Sequence, residues 1–160
     1  YANFQKFEKF AKHKDLGPVK KLHSSHGFPE KYFKETYRRF AKVIVGIGSS
    51  AGKDSDFGLL TEFILLNNPY NDKSQGFIKL KLNYQGKPRG DAQVEVFERS
   101  LDNNISIFTT KTSNDGIIKV PVKEGYDYLF DAVKLRKASP KSTKAVWETL
   151  WAALMINIPL

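Results

Sequence analysis

The sequence predicts a mainly β protein: an antiparallel β-sandwich with a short N-terminal helical arm. Three observations carry this prediction. After the polar turn at Gln85-Gly86, residues Ala92, Val94 and Val96 fall at every second position, which is the side-chain period of a strand with one buried face. Ile105 and Ile107 repeat the alternation before the tight-turn tetrapeptide Ser113-Asn114-Asp115-Gly116, and Ile118, Val120 and Val122 resume it afterwards, so 104–122 reads as a hairpin. Gly125 then resets the chain for Tyr126 to Leu135. Strands this short do not bury an apolar face alone, and a second sheet must cover them.

Taken in order, the chain divides at residues 1–36, a helical arm with its linker, and 37–160, the sandwich. Phe4, Phe7, Phe10 and Ala11 stand three and four residues apart with Lys between them, one apolar stripe on a helix of about twelve residues. Gly17-Pro18 ends it. So short a helix is marginal alone, and its Phe stripe must dock on the sandwich or on a second copy of the chain. Residues 18–28 read as polar linker. Pro29 suits the first turn of a short helix through Thr36, after which Tyr37, Arg39, Ala41, Val43, Val45 and Ile47 alternate as the first strand; a helix running to Lys42 competes with that reading. Thr61 to Leu66 is the next strand, Asn67 to Asp72 is turn chemistry, and Ile78, Leu80, Leu82 and Tyr84 alternate again. Ala138 to Lys144 is a loop containing Pro140. Trp147 to Ile158 is nearly continuously apolar, as in a strand covered on both faces or one whose second face meets another domain.

At 160 residues the chain is long enough to bury roughly 68–70% of its unfolded surface. It contains no cysteine, which removes disulfides, thiol catalysis and thiolate metal sites. The longest apolar run, Leu150 to Ile156, is far short of the ~20 residues of a membrane helix. Beginning at Tyr1, with no initiator Met and no cleavable signal pattern, the sequence reads as a processed or trimmed piece. The formal charge is +9, with a balance of +8 over residues 1–53 and +1 over the remainder. Such a basic end attracts anionic partners, although charge runs commonly face solvent.

Few residues have the character of a site. His23 and His26, three apart, would share one face of a helical turn and are the candidate metal ligands; a third ligand is lacking nearby. Trp147, Trp151 and Tyr70 are candidate stacking platforms for a glycan or anionic ligand, against the habit of large aromatics to sit in cores. Asp54 and Asp56 are weak candidate oxygen donors for calcium. The run Gly46-Ile47-Gly48 to Lys53 is not a phosphate loop, because Asp54 follows where Ser or Thr should open a helix.

Several short stretches, taken together in order, resemble a known family. They are Tyr37-Arg38-Arg39-Phe40-Ala41-Lys42 leading to Val45-Gly46, Gly58-Leu59 with Glu62, Asn68-Pro69-Tyr70, and Gly86-Lys87-Pro88 with Ala92 and Val94. Asp115-Gly116, Gly125-Tyr126, Ala132-Val133 and Trp147-Glu148-Thr149-Leu150-Trp151-Ala152 complete the set, with Leu16-Gly17 closing the Phe-containing helix. The family is one of exported bacterial proteins bearing a domain-of-unknown-function name, described in places as nickel- or cobalt-uptake accessory proteins. The resemblance implies a periplasmic or secreted protein of two β domains, of which this chain is the second. It also implies an immunoglobulin-like or prealbumin-like sandwich, similar to collagen-adhesin B-type modules. The family's metal-associated His segment lies near the mature N-terminus and has no counterpart here, so nickel or cobalt is expected in the full-length protein and no cofactor in this piece.

The function expected is therefore a non-enzymatic envelope module, accessory to transition-metal uptake. Its expected partners are an N-terminal domain, a transporter component and, through the Phe4/Phe7/Phe10 helix, a second copy; nucleic acid is not among them. The alternative is a domain that binds a glycan or an anionic ligand. A hydrolase is disfavoured, since all three His fall within the first 26 residues, outside the expected sandwich.

Overall fold

In a computed structural model, which describes residues 1–71, 76–139 and 144–160, Asn3 caps the first helix, α1 (Phe4–His13), by accepting the Lys6 N–H at 3.1 Å. Leu16 N–H closes back on Ala11 O at 2.9 Å. The segment 18–28, expected as linker, carries a second helix, α2 (Val19–Ser25), of which only Val19 and His23 are buried. Two residues four apart make too narrow a stripe to announce a helix. The helix expected from Pro29 to Thr36 gives way to extended chain: Tyr32 turns at φ 55°, and strand β1 runs Lys34–Ile44.

The remaining strands are β2 (Thr61–Leu65), β3 (Phe77–Tyr84), β4 (Lys87–Pro88), β5 (Gln93–Arg99), β6 (Ile105–Lys111), β7 (Ile117–Pro121), β8 (Asp127–Lys137) and β9 (Ala145–Asn157). One sheet has the order β1-β9-β8-β5-β6; in the other, β3 lies between β2 on one side and β4 and β7 on the other. The pairs β2–β3, β3–β7, β5–β6 and β5–β8 are antiparallel. This is the mainly β sandwich that the alternation predicts.

One detail of the pairing differs. Residues 104–122 do not form a hairpin: β6 pairs with β5 from Gln93↔Lys111 to Arg99↔Ile105, whereas β7 pairs with β3 of the other sheet. The Ser113–Gly116 turn is present, with Gly116 N–H on Ser113 O at 2.9 Å, but it carries the chain from one sheet to the other. The loop from Ala138 lies partly outside the described residues, as does the end of the turn at Asp72.

The chain gathers into two compact units. A helical unit comprises Tyr1–Arg39 and Val133–Trp151; a sandwich unit comprises Phe40–Ala132 and Ala152–Leu160. Each has its own core. In the sandwich unit Phe63, Leu80, Leu82, Ile118 and Val120 of one sheet meet Val94, Val96, Phe130, Ala132 and Leu154 of the other. Each such side chain contributes about 1.5–3 kcal/mol of burial. In the helical unit Phe4, Phe7, Ala11, Val19 and Phe33 surround Trp147. The Phe4 and Phe7 side of the α1 stripe is thus covered by its own unit, with Phe7 stacked on Trp147 at 6.1 Å. Within β9, Trp147 to Leu150 are buried in succession, while Ala152, Leu154 and Ile156 alternate with half-buried and then exposed positions. The expected two-sided cover holds for the first stretch alone.

Candidate functional site

In the helical unit, alternation along β1 turns Glu35, Tyr37 and Arg39 to one side, and alternation along the neighbouring β9 does the same for Trp147, Thr149 and Trp151. Where the helical cover over Trp147 ends, Tyr1, Phe10, Lys34, Glu35, Tyr37, Arg39, Thr149 and Trp151 line an open depression of about 420 Å³. Glu35, one of the lining residues, accepts from the Tyr1 hydroxyl at 2.7 Å and from the Thr149 hydroxyl. Burial, and then the bond to Glu35, push the Tyr1 phenol well above its ordinary value. Trp151 donates its indole N–H to Thr149 Oγ1 at 3.1 Å. Its ring carries Phe10 stacked at 6.0 Å, Lys14 Nζ at 4.9 Å and the Arg39 guanidinium at 5.5 Å, and Arg39 also lies 5.3 Å from Tyr37. A guanidinium stacked on rings keeps its in-plane N–H edge for a planar oxyanion. The depression is thus a cationic, aromatic-walled surface with one carboxylate in its lining.

His23 and His26, the metal ligands read from the sequence, both pack their rings against Phe28 and Trp147. His23 is buried, its Nδ1 accepts the Trp147 indole N–H at 2.9 Å, and its Nε2 meets Pro29 O at 3.1 Å. Since Nδ1 accepts, Nε2 carries the proton, and both ring nitrogens are engaged. His26 is exposed and packs its ring 5.1 Å from Phe28. His23 could ligate a nickel or cobalt ion only by giving up one of its two hydrogen bonds. Among the described residues no three His, Asp or Glu side chains gather in a metal-holding arrangement.

The stacking candidates have different surroundings. Trp147 is core, and Trp151 lines the depression with both neighbours and cations over its ring. Tyr70 belongs to the sandwich unit, where its hydroxyl donates to Ile44 O at 3.1 Å beside a cavity of about 350 Å³. Asn68 Nδ2 donates to Ser50 O at 2.7 Å and Gly52 O at 3.0 Å. These bonds tether the 49–53 loop.

An ion cluster missed in the sequence lies in the same unit. Lys42 Nζ donates to Asp54 Oδ2 at 2.8 Å and stands 3.6 Å from Glu62 Oε2, with all three side chains buried. Glu62 also accepts the Leu59 and Phe57 N–H groups at 3.1 and 3.3 Å. Burial, and next the hydrogen bond with Asp56, push the Glu62 carboxyl above the usual carboxylate range. Asp56 is held below that range by the bond with Glu62 and by the Gly58 N–H. With the Lys42 ammonium already inside the cluster, Asp54 and Asp56 do not form a calcium site; they pin residues 54–59 to β2 and β3. The signals for this cluster were a Lys set among the apolar residues that end β1 and a Glu that interrupts the apolar run of β2.

A family model described as a domain of unknown function, DUF4198, matches residues 2–135. No curated protein and no solved structure matches the chain.

Proposed function

The chain belongs to the DUF4198 family of unknown function, and we propose that it works as a non-enzymatic module of an exported protein, periplasmic or secreted. In this reading it supports transition-metal uptake, of nickel or cobalt, beside a further β domain and a transporter component. The observation that carries the non-enzymatic half is the engagement of the chain's reactive side chains. His23 is bonded at both nitrogens, and Glu148 lies between Arg38 at 2.8 Å and Arg136 at 2.7 Å. Lys42 is locked between two carboxylates. Groups held this way support a scaffold, and metal ligation falls to the further domain. Calorimetric titration of nickel, cobalt, copper and zinc into the full-length mature protein and into residues 1–160 tests this: the former binds and the latter does not. Tight binding by neither removes the metal role.

A second reading, capture of an anionic ligand, is favoured by the depression around Trp151, where Lys34 and Arg39 stand beside two aromatic rings. A sugar stacking on Trp151 is less well supported, since Phe10, Lys14 and Arg39 already lie against that ring. Tryptophan fluorescence measured against a series of carboxylates and phosphates, with Arg39→Ala as the comparison, tests this reading. A response that Arg39→Ala leaves unchanged sinks it.

A further inference from the structure

The charge of the molecule is divided between its two units to an extent that the sequence order conceals. The helical unit, Tyr1–Arg39 with Val133–Trp151, holds fifteen Lys or Arg against five Asp or Glu, a net +10, and the sandwich unit holds eleven against twelve, a net −1. All of the protein's excess positive charge belongs to the unit built from the two helices.

Most of the carboxylates of that unit are occupied by its own donors. Glu8 pairs with Lys12 at 3.5 Å, Glu35 accepts from Tyr1 and Thr149, and Glu148 sits between Arg38 and Arg136. Among the described residues, Lys6, Lys9, Lys20, Lys21, Lys31 and Lys34 are exposed and form no ion pair. Twelve of the fifteen basic residues are Lys, and two of the three Arg are the partners of Glu148. Lysine is a compact, hydrated point charge on a flexible stem, suited to a diffuse field of negative charge, whereas bidentate recognition of phosphates and bases favours the planar fork of arginine. Two exposed apolar side chains adjoin these lysines in the sequence. Leu22 follows Lys20-Lys21 at 38% exposure, and Tyr32, between Lys31 and Lys34, is 85% exposed. Tyr32 is held there at φ 55°, a conformation that costs a bulky side chain backbone energy. An amphipathic ring and an aliphatic side chain among ammonium groups suit the headgroup layer of a bilayer.

We infer that the helical unit docks on an anionic lipid surface, with Lys20, Lys21, Lys31 and Lys34 facing the headgroups and Tyr32 entering the interface. This inference stands apart from the metal reading, and the two fail separately, one in vesicle binding and the other in metal titration.

The experiment is co-sedimentation of the protein with vesicles of phosphatidylcholine alone and of phosphatidylcholine mixed with phosphatidylglycerol, at low salt and at roughly 1 M salt, where the screening length is about 3 Å. Two charge-reversed variants, Lys20→Glu with Lys21→Glu and Lys31→Glu with Lys34→Glu, are compared with a sandwich-unit control, Lys79→Glu with Lys87→Glu. Circular dichroism establishes that all are folded. The expected result is binding to the anionic vesicles alone, lost at high salt, weakened about tenfold or more by each helical-unit variant and much less by the control. Equal binding to both vesicle types, equal loss in the control, or tighter binding to duplex DNA at the same salt would overturn it.

Discussion

The indole N–H of Trp147 donates to Nδ1 of His23 across 2.9 Å, joining residues 124 positions apart inside an interior otherwise made of Phe4, Phe7 and Phe33. A buried acceptor that loses its donor retains its desolvation cost. Trp147→Phe keeps an aromatic ring and removes the donor, so urea unfolding should show a loss of about 1–3 kcal/mol. An unchanged midpoint would mean that the imidazole finds water instead. His23→Leu should be destabilising to a similar degree and should leave the metal response of the chain unaltered.

Lys42 neutralises Asp54 and Glu62 where all three side chains are at most 7% exposed. Removing one member of a buried charged set leaves the others uncompensated, and Lys42→Ala should cost about 3–5 kcal/mol. Limited proteolysis should also show faster cleavage within 54–59, the segment whose backbone these carboxylates hold. Lys79→Ala, at an exposed position of β3, should stay within about 0.5 kcal/mol of the parent. Similar losses in the two variants would count against the cluster as a latch.

Gly116 lies at φ +74°, and a Cβ there would meet Leu82 O at 2.6 Å and Arg89 N at 3.0 Å. Gly116→Ala therefore combines left-handed backbone strain of about 1–2 kcal/mol with a clash against backbone that does not yield. A loss of about 2 kcal/mol or more is expected. Gly48→Ala, at φ +60° with open space around the Cβ, should show the strain alone. Thermal denaturation of the pair separates the two contributions.

Glu148 supplies a pH dependence. Burial opposes its ionisation, but Arg136 and then Arg38 outweigh that and hold its carboxyl below the ordinary value of 4.5. A carboxylate whose folded-state pKa is lowered gives stability that is complete above its unfolded value and is lost as pH falls through the folded one. Glu148→Gln should therefore be less stable than the parent at neutral pH, and the two stability curves should converge on acidification below about pH 4.5. Parallel curves across that range would remove Glu148 from the account of acid sensitivity.

The sandwich was legible because its strands are patterned by twos: Val94 and Val96, Ile78, Leu80 and Leu82, Ile118 and Val120 all bury the residues that the alternation marks. What alternation does not encode is the partner. Ile105 and Ile107 alternate as cleanly as any core pair and are 64% and 59% exposed, on a sheet-edge strand. A tight turn reads identically whether the next strand returns beside the last or crosses to the facing sheet, and so the hairpin was expected where an arch stands. The helical unit was the least legible. Its core joins Phe4 and Phe7 to Trp147, and the lining of the depression at Trp151 comes from both ends of the same long separation. Periodicity reports a buried face but not a neighbour more than a hundred positions away. The ion cluster escaped for the same reason, since Lys42, Asp54 and Glu62 meet only when β1 and β2 are in place.

The covering of Trp147 by residues from the start of the chain bears on how this protein is cut for experiments. A boundary drawn at the first strand, near Lys34, keeps every strand and looks conservative, yet it bares Trp147 with Leu135 and Val146, which pack against the same cluster. Preparations trimmed in that way should aggregate or be recovered with chaperones attached, and a tag is better placed ahead of Tyr1 than substituted for the segment that follows it.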